Sequence, residues 1–298
     1  MLSICIAIHN WDVNRLVNDL LTQADKLNVP YEILLLDDAS DYEYQKKNAK
    51  LDFLEHVTYL QSYINMGRSL VRNTLASRAK YPYLLFMDCD TTVTHRDFLK
   101  KYMDSLPADV LSGGYEYRKR RPRKDCLLRW AYGHAREVKS AQEKNIHPNH
   151  NFSTFNFLIK KKIFEKVQFN ENLQGYGHED TLFGLDLLDQ GITVYHIDNP
   201  LRHDVVCTTQ KFLQQIENSI DNLLVIEELE KPSRCLEESV TLLRTYKRMK
   251  RWKMVGFYRF FYSLSKKFIL KNLYSSKPNM HMLDLYKLGY LCNKTIDL

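Results

Sequence analysis

Short apolar runs alternate with amphipathic stretches through the first half of the chain, and this alternation restricts the fold more than any other feature. The runs that predict strands are residues 2–8, 31–36, 56–60 and 83–87. Apolar residues recur at helical spacing between them, at Val13, Leu16, Val17, Leu20, Leu21 and Leu27, and again at Leu70, Val71, Leu75 and Ala79. Such alternation predicts an α/β fold in which helices flank a mostly parallel sheet.

Polar residues follow the predicted strands. They are His9 and Asn10, Asp37 and Asp38, Asn65, and Asp88 and Asp90. Ligands of open α/β sheets bind in the crevice beyond the carboxyl ends of the strands. We therefore expect these side chains to meet in one site.

Two acidic motifs supply the candidate chemistry. Asp88-Cys89-Asp90 ends an apolar strand, and Glu179-Asp180 begins a predicted helix. The structural alternatives are a solvated strand-end turn for the first motif and a capped helix for the second, since the helix dipole favours acids in a first turn. Carboxylate oxygens are the ligands that Mg²⁺ and Mn²⁺ prefer. Together the motifs predict a metal-dependent site.

Composition excludes several classes of protein. A hydrophobic content of 44% is ample for a core. The six cysteines form no C-x-x-C cluster, so they predict buried thiols in a reducing compartment rather than disulfides or a zinc site. The first residues lack the basic start of a secretion signal, and no apolar stretch approaches the ~20 residues of a spanning helix. We expect a cytoplasmic protein.

The net charge of +7 is concentrated in residues 118–124 and beyond Arg244. No DNA- or RNA-recognition motif accompanies these clusters, so nucleic acid is not an expected partner. Anionic lipid head groups or a diphosphate-bearing substrate explain them equally well. Residues 118–144 are interpreted as a mobile lid, an acceptor site or a solvated insertion.

Residues 1–206 resemble the inverting GT-A glycosyltransferases of glycosyltransferase family 2, which depend on nucleotide sugars. The resemblance rests on the order and spacing of Ile6-Ala7-Ile8-His9-Asn10, of Leu36-Asp37-Asp38-Ala39-Ser40, and of the segment from Asn65 to Asn73. Ala39 replaces the usual glycine, Val71 an alanine and His9 a tyrosine. The family's fold is a Rossmann-like sheet with flanking helices.

The resemblance implies a UDP-sugar donor and a set of nucleotide-binding residues. These are Asn10, Asp38, Asn65, Gly67, Arg68, Arg72 and Asp88. Asp38 would bind the uracil edge, and Arg68 or Arg72 would face phosphate. Gly67 would let the backbone approach the nucleotide.

A divalent cation, Mn²⁺ or Mg²⁺, is also expected. Asp90 is the predicted direct ligand, while Asp88 would meet the ribose or a metal-bound water. His203 is the candidate third ligand by resemblance, with His196 as a weaker alternative, and a hydrogen-bonded structural histidine remains the other interpretation.

Inversion needs one general base opposite the leaving diphosphate. Adjacent side chains on a helix diverge by ~100°, so only one of Glu179 and Asp180 can serve. The family pattern assigns the base to Asp180 and sugar or acceptor hydroxyls to Glu179. Gly175, Tyr176 and Gly177 resemble a loop that contacts the donor sugar, in a form similar to galactosyl- and N-acetylhexosaminyl-transferring members.

The expected function is therefore transfer of a hexose or N-acetylhexosamine from a UDP-sugar to a glycan or lipid-linked glycan. A nucleotidyltransferase is one alternative, but it would carry a glycine-rich, lysine-bearing loop after the first strand, which His9-Asn10-Trp11-Asp12 is not. A non-catalytic nucleotide-sugar-binding or scaffold protein is the other, and it would be expected to lose Asp88, Asp90 or Asp180.

Residues 207–298 are predicted to form a helical extension attached to a catalytic domain of residues 1–206. Basic and aromatic residues interleave from residue 247 to residue 273. This mixture suits a helix lying at the surface of an anionic membrane, which would place the enzyme peripherally on the cytoplasmic face. The alternative is an amphipathic helix packed on the catalytic domain.

Overall fold

The computed structural model describes residues 1–173, 177–204, 207–229 and 236–295. They group into two compact units. The first contains the described residues of Met1–Glu116, Lys139–Gln174 and Glu179–Val205, and the second those of Tyr117–Val138, Gly175–His178 and Val206–Leu298. The domain boundary between residues 206 and 207 stays a prediction.

Strands and helices alternate in the first unit, as the apolar periodicity predicts. The strands are β1 (Leu2–Ile8), β2 (Tyr31–Asp38), β3 (Val57–Ser62), β4 (Tyr83–Asp88), β5 (Thr91–Thr92), β6 (Val110–Glu116), β7 (Asn156–Lys160) and β8 (Tyr195–His203). The α-helices of the whole described chain are α1 (Asn14–Ala24), α2 (Tyr42–Asn48), α3 (Arg68–Arg78), α4 (Phe98–Asp104), α5 (Leu127–Tyr132), α6 (Ala141–Lys144), α7 (Lys161–Phe164), α8 (Glu179–Asp189), α9 (Thr209–Leu229), α10 (Leu236–Ser239), α11 (Thr241–Arg251), α12 (Val255–Leu273) and α13 (Met280–Lys294).

The described strands form one sheet in the order β3-β2-β1-β4-β7-β6-β8-β5. The pairings from β3 through β4 are all parallel, so the carboxyl ends of these strands lie along one edge. Strand β7 runs antiparallel to both β4 and β6, and β8 is parallel to β6. The predicted α/β class, a GT-A-type sheet with flanking helices followed by C-terminal helices, is confirmed.

Apolar residues fill both faces of the sheet because a parallel sheet is covered by helices on both sides. On one face, Ile4 and Ile6 of β1 pack in a core with residues of α1 and α4. On the other, Cys5 packs with residues of α3 and α8. The sheet therefore holds its polar strand ends in a rigid frame, which positions the site described below.

The second unit is helical. Arg129 of α5 is buried, and its guanidinium lies over the rings of Tyr132 and of Phe212 in α9. Arg136 Nη2 donates to Asp284 Oδ2 of α13 at 2.7 Å. Residues 117–138 therefore pack with α9 and α13, while the interpretation of this segment as a lid or acceptor site stays a prediction. Among the described helices, none is both long and apolar enough to cross a membrane.

Candidate active site

Asp90 and His203 come together at the edge of the sheet. Strand β5 pairs antiparallel with the end of β8, which sets Thr91 opposite His203. The amide of Asp204 also donates to the carbonyl of Asp90 at 3.2 Å. As a result, His203 Nε2 lies 3.2 Å from Asp90 Oδ2.

The two aspartates of the Asp88-Cys89-Asp90 motif differ in their electrostatic surroundings. Burial raises the pKa of Asp88, against the opposing charges of Arg72 and Arg68. Burial acts in the same direction on Asp90, but the hydrogen bond and charge of His203, with help from Arg68, outweigh it and lower the pKa of Asp90. Of these two carboxylates, Asp90 is therefore the one held more firmly in its anionic form, as a metal ligand must be.

Arg72 connects the first acidic motif to the second. Its Nη2 donates to Asp88 Oδ1 at 3.0 Å, and its Nη1 lies 4.0 Å from Glu179 Oε1. Arg68, one turn earlier on α3, lies 3.6 Å from the same Glu179 oxygen. Only 5% of the Arg72 side chain is exposed, against 47% for Arg68. Arg72 therefore holds the two motifs together, while Arg68 stays accessible to an anionic ligand.

Asp180 lies beside this network at the start of α8. Burial, followed by the negative charge of Glu179, raises the pKa of Asp180 to about 7. A carboxylate with a pKa near neutrality is poised to accept a proton at physiological pH. Glu179 instead faces the two arginines, so the adjacent acids occupy different surroundings, as the predicted divergence of helical neighbours requires.

The loop before α3 is folded onto the end of β2. Asp38 accepts hydrogen bonds from the amides of Met66 and Gly67, the latter at 3.1 Å. Asn65 Nδ2 donates to the Asp38 carbonyl at 3.3 Å and lies 3.4 Å from His9 Nδ1. Gly67 has a φ of +81°, in the left-handed region that favours glycine. Predicted nucleotide-binding residues from two segments, the end of β2 and the loop before α3, thus meet in one place beside His9.

Asn10 lies in the loop that follows β1, beside the turn that follows β2. Its amide donates to Ser40 Oγ at 2.8 Å, and its side-chain oxygen accepts from the amide of Asp41 at 2.7 Å. Ala39 has a φ of +54° in this turn. That conformation explains why the family has glycine at this position, since a Cβ there is disfavoured by about 1 kcal/mol.

The predicted donor-sugar loop is described only in part, because Gly175 and Tyr176 lie outside the described residues. Gly177 has a φ of +105°, and its carbonyl accepts from Asn222 Nδ2 at 3.2 Å. A Cβ at this glycine would lie 2.5 Å from Ser219 Cβ of α9. Glycine is therefore required here for close packing within the second unit.

His196, the weaker candidate ligand, lies earlier on β8. Its Nε2 is 2.9 Å from the carbonyl of Pro148, and burial lowers the pKa of His196 to about 4. The structure thus brings His203, and not His196, to Asp90.

Sequence reasoning missed residues that support His203. Arg202 Nε donates to Asp204 Oδ1 at 2.9 Å, and the Thr92 hydroxyl donates to the other oxygen of Asp204. These bonds join the end of β8 to β5. Phe155 also lies 5.5 Å from the His203 ring, centre to centre. The only signal in the sequence is that Arg202 and Asp204 flank His203. That signal cannot be interpreted from sequence, because Asp204 contacts Thr92 only once β5 pairs with β8.

The donor set fits a divalent cation with two protein ligands. Within the described residues, no three histidine, cysteine or acidic side chains form a ready group of metal ligands. Asp90 and His203 nevertheless present a carboxylate oxygen and an imidazole nitrogen within 3.2 Å. Oxygen donors suit Mg²⁺ and Mn²⁺, and an added imidazole favours the transition metal.

The sheet gathers carboxylates, a histidine and arginines at the edge where ligands of open α/β sheets bind. The chain belongs to glycosyl transferase family 2, whose profile matches residues 3–168, more than half of its length. No curated protein matches the chain.

Solved structures share the fold. The mannosyltransferase PcManGT from Pyrobaculum calidifontis, in complex with GDP-Man and Mn²⁺, is 12% identical with a TM-score of 0.61, and the match covers 99% of this chain and 86% of that one. S. aureus TarS 1-349, in complex with UDP-GlcNAc, is 17% identical with a TM-score of 0.50 and coverages of 75% and 66%. The chain thus spans less than two thirds of that TarS fragment, and only 39% of a longer TarS structure.

Proposed function

We propose that the chain is an inverting, metal-dependent enzyme that transfers a hexose or N-acetylhexosamine from a UDP-sugar to a hydroxyl of a glycan or lipid-linked glycan. The observation that carries this proposal is the cluster in which the Asp90–His203 pair adjoins the Asp88–Arg72–Glu179 network. Such a cluster can bind a diphosphate on one side while presenting a separate base, Asp180, for the acceptor.

Asp90 and His203 would hold a divalent cation, with Asp88 beside them. When bound, the cation would neutralise the negative charge that develops on the leaving diphosphate. Arg68, the more exposed of the two arginines, is placed to add a further positive charge. The solved structure of PcManGT is a complex with Mn²⁺, which agrees with this choice of metal.

Asp180 would act on the acceptor. Its carboxylate takes the hydroxyl proton as the acceptor oxygen bonds to the anomeric carbon, and the bond from that carbon to the diphosphate oxygen breaks. The configuration inverts because attack comes from the face opposite the leaving group. Arg72 keeps Glu179 oriented, so that Glu179 can bind sugar or acceptor hydroxyls.

Uracil is the proposed base. Both oxygens of Asp38 already accept loop amides, but a carboxylate offers about four acceptor positions, so an imide N–H can still be bound. TarS, which shares the fold, was crystallised with UDP-GlcNAc, whereas the solved PcManGT structure is a complex with GDP-Man. The donor base therefore needs a direct test.

The test is a screen of UDP-, GDP- and nucleoside-monophosphate-linked sugars for Mn²⁺-dependent donor hydrolysis. We expect turnover with a UDP-hexose or a UDP-N-acetylhexosamine. Anomeric analysis of the product formed with a hydroxyl acceptor then reports inversion or retention. Turnover of only GDP-sugars would contradict the uracil assignment, and a retained configuration would contradict Asp180 as a simple base.

The pH dependence of catalysis should report Asp180. A raised pKa means that the carboxyl is protonated, and inactive as a base, below about pH 7. We expect kcat/KM at saturating Mn²⁺ to rise about tenfold per pH unit below pH 7 and to level off above it. Glu179→Gln removes the neighbouring negative charge and should move the midpoint to lower pH. A flat profile between pH 5 and 8 would argue against this assignment.

A further inference from the structure

We propose that the exposed side of α12 is a docking face for bilayers that contain anionic lipid. This inference goes beyond sugar transfer and does not rest on it. Helix α12 has one apolar side that is covered by protein and a second that faces solvent.

The covered side packs against α13. Tyr262, Ile269 and Leu273 are buried. The Tyr262 ring occupies the space beside Gly289, where an added Cβ would lie 2.3 Å from it. Tyr258 also donates to the Leu285 carbonyl at 3.0 Å. These contacts account for the ordinary amphipathic character of the helix.

The exposed side carries a second apolar stripe, which we call the α12 stripe. Its members are Phe257, Phe260, Phe261, Leu264 and Phe268, each between 56% and 68% exposed. At 100° per residue they fall within an arc of about 100°, on the side of the helix nearly opposite Tyr262 and Ile269. Trp252 and Met254 are exposed just before the helix begins. A contiguous apolar patch of this kind marks an interaction surface.

The charge around the stripe specifies an anionic partner. From residue 239 to residue 283 the sequence contains eleven lysines and arginines and no aspartate or glutamate. The whole chain has a net charge of +7, so the remainder is net negative. Lys267 and Lys271 are exposed on the same side as the stripe, and Arg251 and Lys253 are exposed at its N-terminal end.

A bilayer that contains anionic lipid matches both the apolar α12 stripe and the positive charge around it. Phenylalanine side chains can enter the boundary between head groups and acyl chains while the lysines reach lipid phosphates. Trp252 can lie at head-group depth. A second copy of the chain would bring two identical cationic segments together, and their repulsion disfavours that occupant.

The test is co-sedimentation of the full-length protein with vesicles of phosphatidylcholine alone or mixed with phosphatidylglycerol, at low and high salt. We expect binding that requires phosphatidylglycerol and weakens as salt is added. Replacing Phe257, Phe260, Phe261 and Leu264 together by serine should reduce the bound fraction about tenfold or more. Lys267→Glu with Lys271→Glu, which keeps the stripe, should remove the preference for anionic lipid.

A matched control carries serine at Phe53, Tyr63 and Ile64, which are 91%, 99% and 73% exposed in the first unit. It should bind vesicles like the wild type, and circular dichroism should show that all variants are folded. The proposal would be overturned if the stripe variant bound vesicles as well as the wild type does, or if binding did not depend on phosphatidylglycerol. It would also be overturned if the wild type bound no vesicles and instead formed a dimer that the stripe variant disrupts.

Discussion

Asp180→Asn should lower the rate of sugar transfer by a factor of about 10² or more, since general-base catalysis contributes about 10²–10⁴. The amide is nearly isosteric with the carboxyl, so fold and donor binding should be preserved. Asparagine cannot accept the acceptor's proton at neutral pH, and the loss should therefore appear in kcat. The measurement is initial-rate transfer beside calorimetric UDP binding.

Glu179→Gln is the matched control, because it alters the adjacent carboxylate on the same helical turn. Glu179 faces Arg68 and Arg72 at 3.6 and 4.0 Å, so its loss should act on substrate affinity and on the pH midpoint more than on the proton-transfer step. If Asp180→Asn transfers sugar at the wild-type rate, the base assignment is wrong, and Glu179 becomes the residue to test.

Asp90→Ala should abolish metal-dependent UDP binding. Asp90 is the carboxylate whose pKa is lowered by His203 and Arg68, and it forms half of the proposed two-residue ligand set. Smaller losses are expected for Asp88→Ala, because Asp88 is engaged by Arg72 at 3.0 Å, and for His203→Ala. Titration calorimetry with UDP, in the presence of Mn²⁺ or EDTA, measures the effect.

Two outcomes of that titration would count against the proposed site. Equal UDP affinity with Mn²⁺ and with EDTA in the wild type would show that nucleotide binding does not depend on a metal. Tighter binding of GDP than of UDP would contradict the role assigned to Asp38. Asp204→Asn serves as a comparison, since it weakens the support of the β8 end without removing a proposed ligand.

Much of the fold is readable from sequence because strand and helix periodicity are local properties. The runs at residues 2–8 and 83–87 correspond to β1 and β4, and the stripe beginning at Leu70 to α3. The pairing of later strands is not a local property. Strand β7 lies antiparallel between β4 and β6, and hydrophobic periodicity does not predict which strands pair. Residues 117–138 group with the C-terminal helices, and this grouping also depends on contacts between segments that are distant in sequence.

The sequence by itself determined which polar residues stand at strand ends and at the start of α8, and hence the kinds of chemistry available. Only the tertiary structure decided which of them lie close together and how burial and charge shift their pKa values, since both depend on distant segments of the chain. It set His203 against Asp90 through the β5–β8 pairing, and it raised the pKa of Asp180 to about 7 by burial and by Glu179. Helical spacing likewise predicts the apolar character of α12, but only packing against α13 determines which side is covered and which is left to solvent.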